Sequence, residues 1–134
     1  MLTERDYCDY DTCVALKELG ITDCSLQYYE KSCPNTLHRN LLQPLTIRTA
    51  EALGRVLAIS LYNAQKWLRE VKKLHITIYS QSQESWQYRI TKPHQKLEDG
   101  LHGEDFNSFE EALSEGIKEA IEILKQDEYD TVGI

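Results

Sequence analysis

Two segments of this chain alternate strictly between two kinds of side chain, and they constrain the fold more than any other feature. Residues His75 to Gln81 and Trp86 to Thr91 show the period of two that belongs to half-buried β-strands. Ile76, Ile78, Trp86, Tyr88 and Ile90 fall on one face. His75, Thr77, Tyr79, Gln87, Arg89 and Thr91 fall on the other. Both apolar sets occupy even positions, so directly paired residues must sum to an even number. An odd register would turn one apolar set outward. The pattern therefore predicts a β-hairpin closed by about three residues centred near Gln83.

The rest of the chain reads mostly as helix. Thr12 to Leu19 is a predicted helix with Asp11 as N-cap, Gly20 as stop, and Cys13 and Leu16 inward. Leu26 to Glu30 is aromatic and bounded by polar residues, which predicts a short strand. Residues 31–44, with Pro34, Asn35, Asn40 and Pro44, read as an irregular excursion. From Thr46 to Lys73 the period is helical but too long for one ordinary helix, and Gly54 weakens its middle. Two helices, 47–57 and 61–73, are expected, with Ser60 capping the second. One continuous helix is the alternative. Leu61, Ala64, Leu68 and Val71 form the inward stripe of the second helix. A last helix starts at Ser108, where Ser108-Phe109-Glu110-Glu111 fits a capping box. Its inward stripe is Phe109, Leu113, Gly116, Ile117, Ala120 and Leu124. Gly116 inside a helix implies that something packs closely there, and the tail beyond Asp127 is expected to fray. The fold class that follows is α+β: a small antiparallel sheet, made of the hairpin and a short N-terminal strand, covered by three or four helices. With 134 residues, the chain is expected to form a single domain over 1–134.

Charge is unevenly distributed along the chain. The net charge of −7 divides into −4 over residues 1–38, +5 over 39–73, +2 over 74–96 and −10 over 97–134. An acidic whole repels nucleic acid at long range, whereas a local basic patch can still hold a small anion. No apolar run approaches the length of a membrane span, and Met1 to Asp6 has no apolar region after a basic start. A cytoplasmic protein that does not engage a membrane is therefore expected.

All four cysteines, Cys8, Cys13, Cys24 and Cys33, lie in the first 33 residues at spacings too loose for a zinc site. Reduced structural thiols are expected, with no metal. The glycines never fall into a phosphate-binding spacing, so no cofactor is implied. Gly100-Leu101-His102-Gly103-Glu104-Asp105 sets an imidazole beside carboxylates, which is the one stretch suited to a hydrolase. A Cys33–His38 dyad is a further pairing on paper. Neither is assigned a catalytic role. The polar hairpin face carries the better ligand site: Tyr79, Gln87, Arg89 and His75 offer stacking, amide and cationic groups side by side. Arg69, Lys72 and Lys73, just before the hairpin, are expected at its rim.

Three stretches resemble a group of small uncharacterised proteins encoded in gut Bacteroides-type bacteria, their phages and other mobile elements. They are Asp9-Tyr10-Asp11-Thr12-Cys13-Val14-Ala15-Leu16-Lys17-Glu18-Leu19-Gly20-Ile21, Tyr62 to Glu70 with Trp86-Gln87-Tyr88-Arg89-Ile90, and Phe109 to Ile117. The segment Leu41 to Ile59 departs from the shorter linker expected in that group, so what is particular to this chain is expected there. The resemblance implies order and membership of that group but no activity, and it brings no functional residue with it. The expected function is non-enzymatic binding by an accessory protein of a phage or mobile element, with a host protein or small anionic ligand as partner. Sequestration of an anionic nucleotide is the alternative, and a His102-based hydrolase the second. A homodimer is compatible with the sequence.

Overall fold

A computed structural model describes residues 2–82, 84–92 and 105–132. The fold is α+β, with four α-helices and three small antiparallel sheets among the described residues. The chain divides into two compact units, Met1–Ala64 and Gln65–Ile134. The boundary falls inside a helix.

The first unit opens with a 3₁₀ turn, Glu4–Asp6, and helix α1, Tyr10–Glu18. Asp9, not Asp11, caps α1: its side chain accepts the Thr12 N–H at 2.9 Å. The two aspartates are two residues apart, and only Asp9 has extended backbone with a free N3 donor three positions ahead. At the other end the Ile21 N–H bonds the Leu16 carbonyl and the Gly20 N–H bonds that of Lys17. Those two bonds, with Leu16 and Ile21 both buried, form a Schellman stop. Cys13 and Leu16 face the core as their spacing requires.

Strand β1, Cys24–Ser25, pairs with a later strand β4, Leu45–Thr46. Between them run β2, Gln27–Glu30, and β3, Cys33–Arg39, which pair antiparallel. Residues 33–39 are therefore strand rather than irregular chain. Pro34 lacks an N–H, but β3 is an edge strand in the order β3-β2-β5, where β5 is Arg55–Leu57, and that donor is not needed there. After β4 comes helix α2, Ile47–Ala52, capped by Thr46, whose hydroxyl accepts the Thr49 N–H at 3.1 Å.

The expected helix over 47–57 stops at Ala52. Gly54 takes φ +72°, and Arg55–Leu57 becomes strand β5. The pairing of Tyr28 with Leu57, Tyr29 with Val56 and Glu30 with Arg55 completes the ladder of β2. That tertiary demand overrides the helical period of the segment. A continuous helix over 47–73 is likewise excluded. As the central strand, β2 buries successive residues on opposite faces. Tyr28 joins Leu45, Ala50, Leu57 and Ile47 on one side. On the other, Tyr29 meets Tyr10 edge-on at 6.2 Å and donates its hydroxyl to the Cys8 carbonyl.

Helix α3, Leu61–Glu70, begins at the expected cap: the Ser60 hydroxyl accepts the Asn63 N–H at 3.1 Å. Leu61, Ala64 and Leu68 are buried, but Val71 lies past the helix end and is 55% exposed. The buried stripe ends at Leu68, one turn short of Val71, because Lys73 enters the left-handed region at φ 59° and the Leu74 N–H turns back to the Leu68 carbonyl.

The second unit holds the hairpin, β6 (His75–Ser82) and β7 (Ser85–Thr91). Its register runs from His75↔Thr91 to Ser80↔Trp86, every pair summing to an even number, until a bulge moves Ser82 opposite Ser85. That shift shortens the connection from three residues to two. Helix α4, Phe109–Val132, contacts both strands. The Ser108 hydroxyl accepts the Glu111 N–H at 3.2 Å, and the Glu111 carboxylate accepts the Asn107 N–H at 3.2 Å. Phe109 and Phe106 cover Trp86 and Tyr88 respectively. A Cβ on Gly116 would stand 2.9 Å from Ile76 Cγ2 and 3.3 Å from Tyr88 Cβ, so the glycine lets helix and hairpin approach closely here. Beyond Asp127 the helix continues to Val132 instead of fraying. Among the described residues no helix is long and apolar enough to cross a membrane.

Candidate functional site

The polar hairpin face is assembled much as its alternation requires. Tyr79 pairs directly with Gln87, Thr77 with Arg89 and His75 with Thr91. Arg89 reaches diagonally across, its guanidinium carbon 5.7 Å from the centre of the Tyr79 ring. A cation over a ring at that distance is an attractive contact. The same contact occupies the stacking surface that a base would use. Gln87 is engaged as well, donating its amide to the Asp105 carboxylate. That brings a negative group to the face. Arg89 is exposed, while His75, Tyr79 and Gln87 are half-buried.

The three cations before the hairpin are arranged around the end of α3. Lys72 lies over the Trp67 ring, with Nζ 5.5 Å from its centre. Lys73 donates to the Glu70 carbonyl at 2.9 Å, as cations near a helix C-terminus do. Arg69 is exposed.

The other expected chemistry does not come together, or lies elsewhere. Cys33 is exposed and pairs with Glu30 of β2, whereas His38 pairs with Tyr28 beyond a bulge in the ladder. His38 instead stacks on Tyr28 at 5.4 Å, and its Nε2 is buried with no hydrogen-bond partner among the described residues. Arg55 stands over the Tyr28 ring at 4.2 Å. His94, His102 and Glu104 lie outside the described residues. Cys8 and Cys13 are buried thiols, and Cys24 and Cys33 are exposed ones.

Two features of the first unit were not anticipated as sites. The turn between β3 and β4 presents Leu41 and Leu42, 86% and 92% exposed. Asn40 fixes that turn: its N–H bonds the Leu26 carbonyl at 2.7 Å and its side-chain amide bonds the Gln43 carbonyl at 2.9 Å. The sequence signal was adjacent leucines between Asn40 and Pro44. Beside this turn is an open cleft of about 450 Å³, lined among others by Tyr7, Asp23, Gln27, Arg39 and Asn63. Nothing local in the sequence marks it, because its walls come from five separate stretches. No protein-family model matches the chain, and no curated protein or solved structure matches it either.

Proposed function

We propose that the chain is a non-enzymatic binding protein that engages a protein partner through the Leu41–Leu42 turn. The observation that carries this reading is the exposure of two adjacent leucines on a turn whose backbone is already ordered. An isolated exposed leucine needs no explanation. A pair held out together by two hydrogen bonds from Asn40 is a preorganised apolar anchor, and preorganisation lowers the entropy lost on binding. In keeping with the resemblance to phage and mobile-element proteins, the partner is a host protein and the setting the cytoplasm.

The test compares the immobilised chain with its Leu41→Ser/Leu42→Ser variant against a bacterial host lysate, then against the purified prey. Burying a leucine is worth about 1.5–3 kcal/mol. The double variant should therefore weaken the complex by more than about a hundredfold while leaving the melting temperature unchanged. Equal recovery of every prey by both forms would overturn the reading. Nucleotide sequestration on the hairpin is the second reading, favoured by the exposure of Arg89 on the face that carries Tyr79.

A further inference from the structure

We propose that the cleft of the first unit binds a zwitterionic small molecule of amino-acid chemistry, with Arg39 at its carboxylate and Asp23 at its ammonium. The cleft, at about 450 Å³, lies within the range of small-molecule sites. Its charged lining is one cation and one anion, Arg39 and Asp23. Arg39 ends β3 opposite Gln27, is exposed, and makes no ion pair among the described residues. A guanidinium with no partner offers a planar fork that matches a carboxylate.

Asp23 is held in place. One carboxylate oxygen accepts the Cys24 N–H at 2.8 Å and the other accepts the Asn63 side-chain amide at 3.2 Å. Each oxygen has room for a second hydrogen bond, so the group is both oriented and able to receive an ammonium. Tyr7 also lines the cleft. Burial raises its pKa, Asp6 and Asp23 push in the same direction and Arg39 opposes. Its hydroxyl thus stays protonated and available as a donor. Leu2, Leu26, Pro44 and Ala58 supply apolar wall, which suits an aliphatic side chain.

The same charges disfavour a nucleotide. A phosphate brings one to two negative charges toward a single arginine and a fixed aspartate, and like charge in a cleft is repulsive. This inference is independent of the Leu41–Leu42 reading.

Calorimetric titration of the full chain with L-leucine and L-leucyl-L-leucine tests it, with leucinamide, N-acetyl-L-leucine and AMP as controls. Saturable binding of at least one zwitterion is expected. Each singly blocked leucine should bind at least about tenfold more weakly than L-leucine, the scale of one charge-assisted hydrogen bond. Arg39→Gln should weaken L-leucine by a similar factor and leave leucinamide unchanged. Asp23→Asn removes the negative charge while keeping one acceptor oxygen, and should weaken L-leucine but not N-acetyl-L-leucine. The Leu41→Ser/Leu42→Ser variant should bind L-leucine as the parent chain does. No saturable binding of either zwitterion, equal binding of the blocked forms, or tighter binding of AMP would overturn the assignment. The ligand arms use the unmodified chain, so the outcome stands even if a variant fails to fold.

Discussion

At the scale of single residues the first unit is held by hydrogen bonds that reach far along the chain. The Cys8 carbonyl receives the Tyr29 hydroxyl at 2.7 Å and the Cys13 thiol at 3.6 Å, and Cys13 sulfur accepts the Ile59 N–H at 3.4 Å. Burial drives the Tyr29 pKa well above its ordinary value, so the hydroxyl remains a donor at any working pH. Tyr29→Phe should lower stability by about 1 kcal/mol, measured as a shift in urea midpoint, because the buried carbonyl loses its strong donor and keeps only a weak one. Asp6 offers a pH test. The Thr3 N–H and Tyr62 hydroxyl hold its carboxyl below the usual range. A depressed folded-state pKa means that the unfolded chain binds the proton more readily. The contribution is thus complete above about pH 5 and is lost as pH falls through the folded-state value. Stability curves of the parent chain and Asp6→Asn should differ at pH 6 and converge as pH falls below the usual carboxylate range. A constant gap across that span would contradict the assigned partners. Residue-level detail was legible where it is local: Cys13 and Leu16 face inward because helical spacing puts them there. The Tyr29–Cys8 bond was not, since nothing local couples residues 21 positions apart.

At the scale of elements, the contact between α4 and the hairpin depends on one missing side chain. Gly116 lets the helix approach Ile76 and Tyr88. Alanine there gains up to about 1 kcal/mol of helix propensity. It must also displace Ile76 Cγ2 and the Cβ of Tyr88, both close to the sheet backbone and unable to swing away. Overpacking of this kind costs about 1–3 kcal/mol, so Gly116→Ala should destabilise by about 1 kcal/mol net. A rise in melting temperature would show that the hairpin yields. Leu68→Ala, at a fully buried position of α3, should cost about 2–5 kcal/mol in a denaturation midpoint experiment. These elements explain which parts of the fold were readable. The hairpin register followed from alternation alone, because its two faces differ and a one-residue slip would expose Ile76 and Ile90. The Gly116 approach followed from a helix carrying a glycine on its inward stripe. Strands β3 and β5 were hidden for opposite reasons. Pro34 and Asn35 gave β3 the composition of a loop, and Arg55-Val56-Leu57 sat inside a helical period that only pairing with β2 could break. The candidate cleft was hidden for the same reason as the long-range bonds, since folding alone brings its walls together.

At the scale of the whole molecule, charge decides which ligands can approach. The first unit carries eight acids against six bases, and the second fourteen against nine. Both units are therefore acidic, and any polyanion meets repulsion before it meets a site. Duplex nucleic acid, which must have several phosphates neutralised at once, should show no binding at 0.15 M salt by fluorescence anisotropy. A mononucleotide needs less, and the hairpin face is where it would be tolerated. Arg89 is exposed there, and Arg69, Lys72 and Lys73 belong to the same unit. Its obstacles are specific: the ligand must displace Arg89 from the Tyr79 ring and sit near Asp105, which holds Gln87. If a nucleotide binds despite them, Arg89→Ala should weaken it by about 1.5–3 kcal/mol, the worth of a charge-assisted hydrogen bond. Affinity should also fall as salt rises from 0.05 to 0.5 M, since an exposed cation is screened over roughly a Debye length. Calorimetry against mono-, di- and cyclic nucleotides reads both quantities. Heat that is indifferent to Arg89, or absent with every nucleotide, removes the hairpin from consideration and leaves the leucine turn and the cleft of the first unit as the proposed binding surfaces.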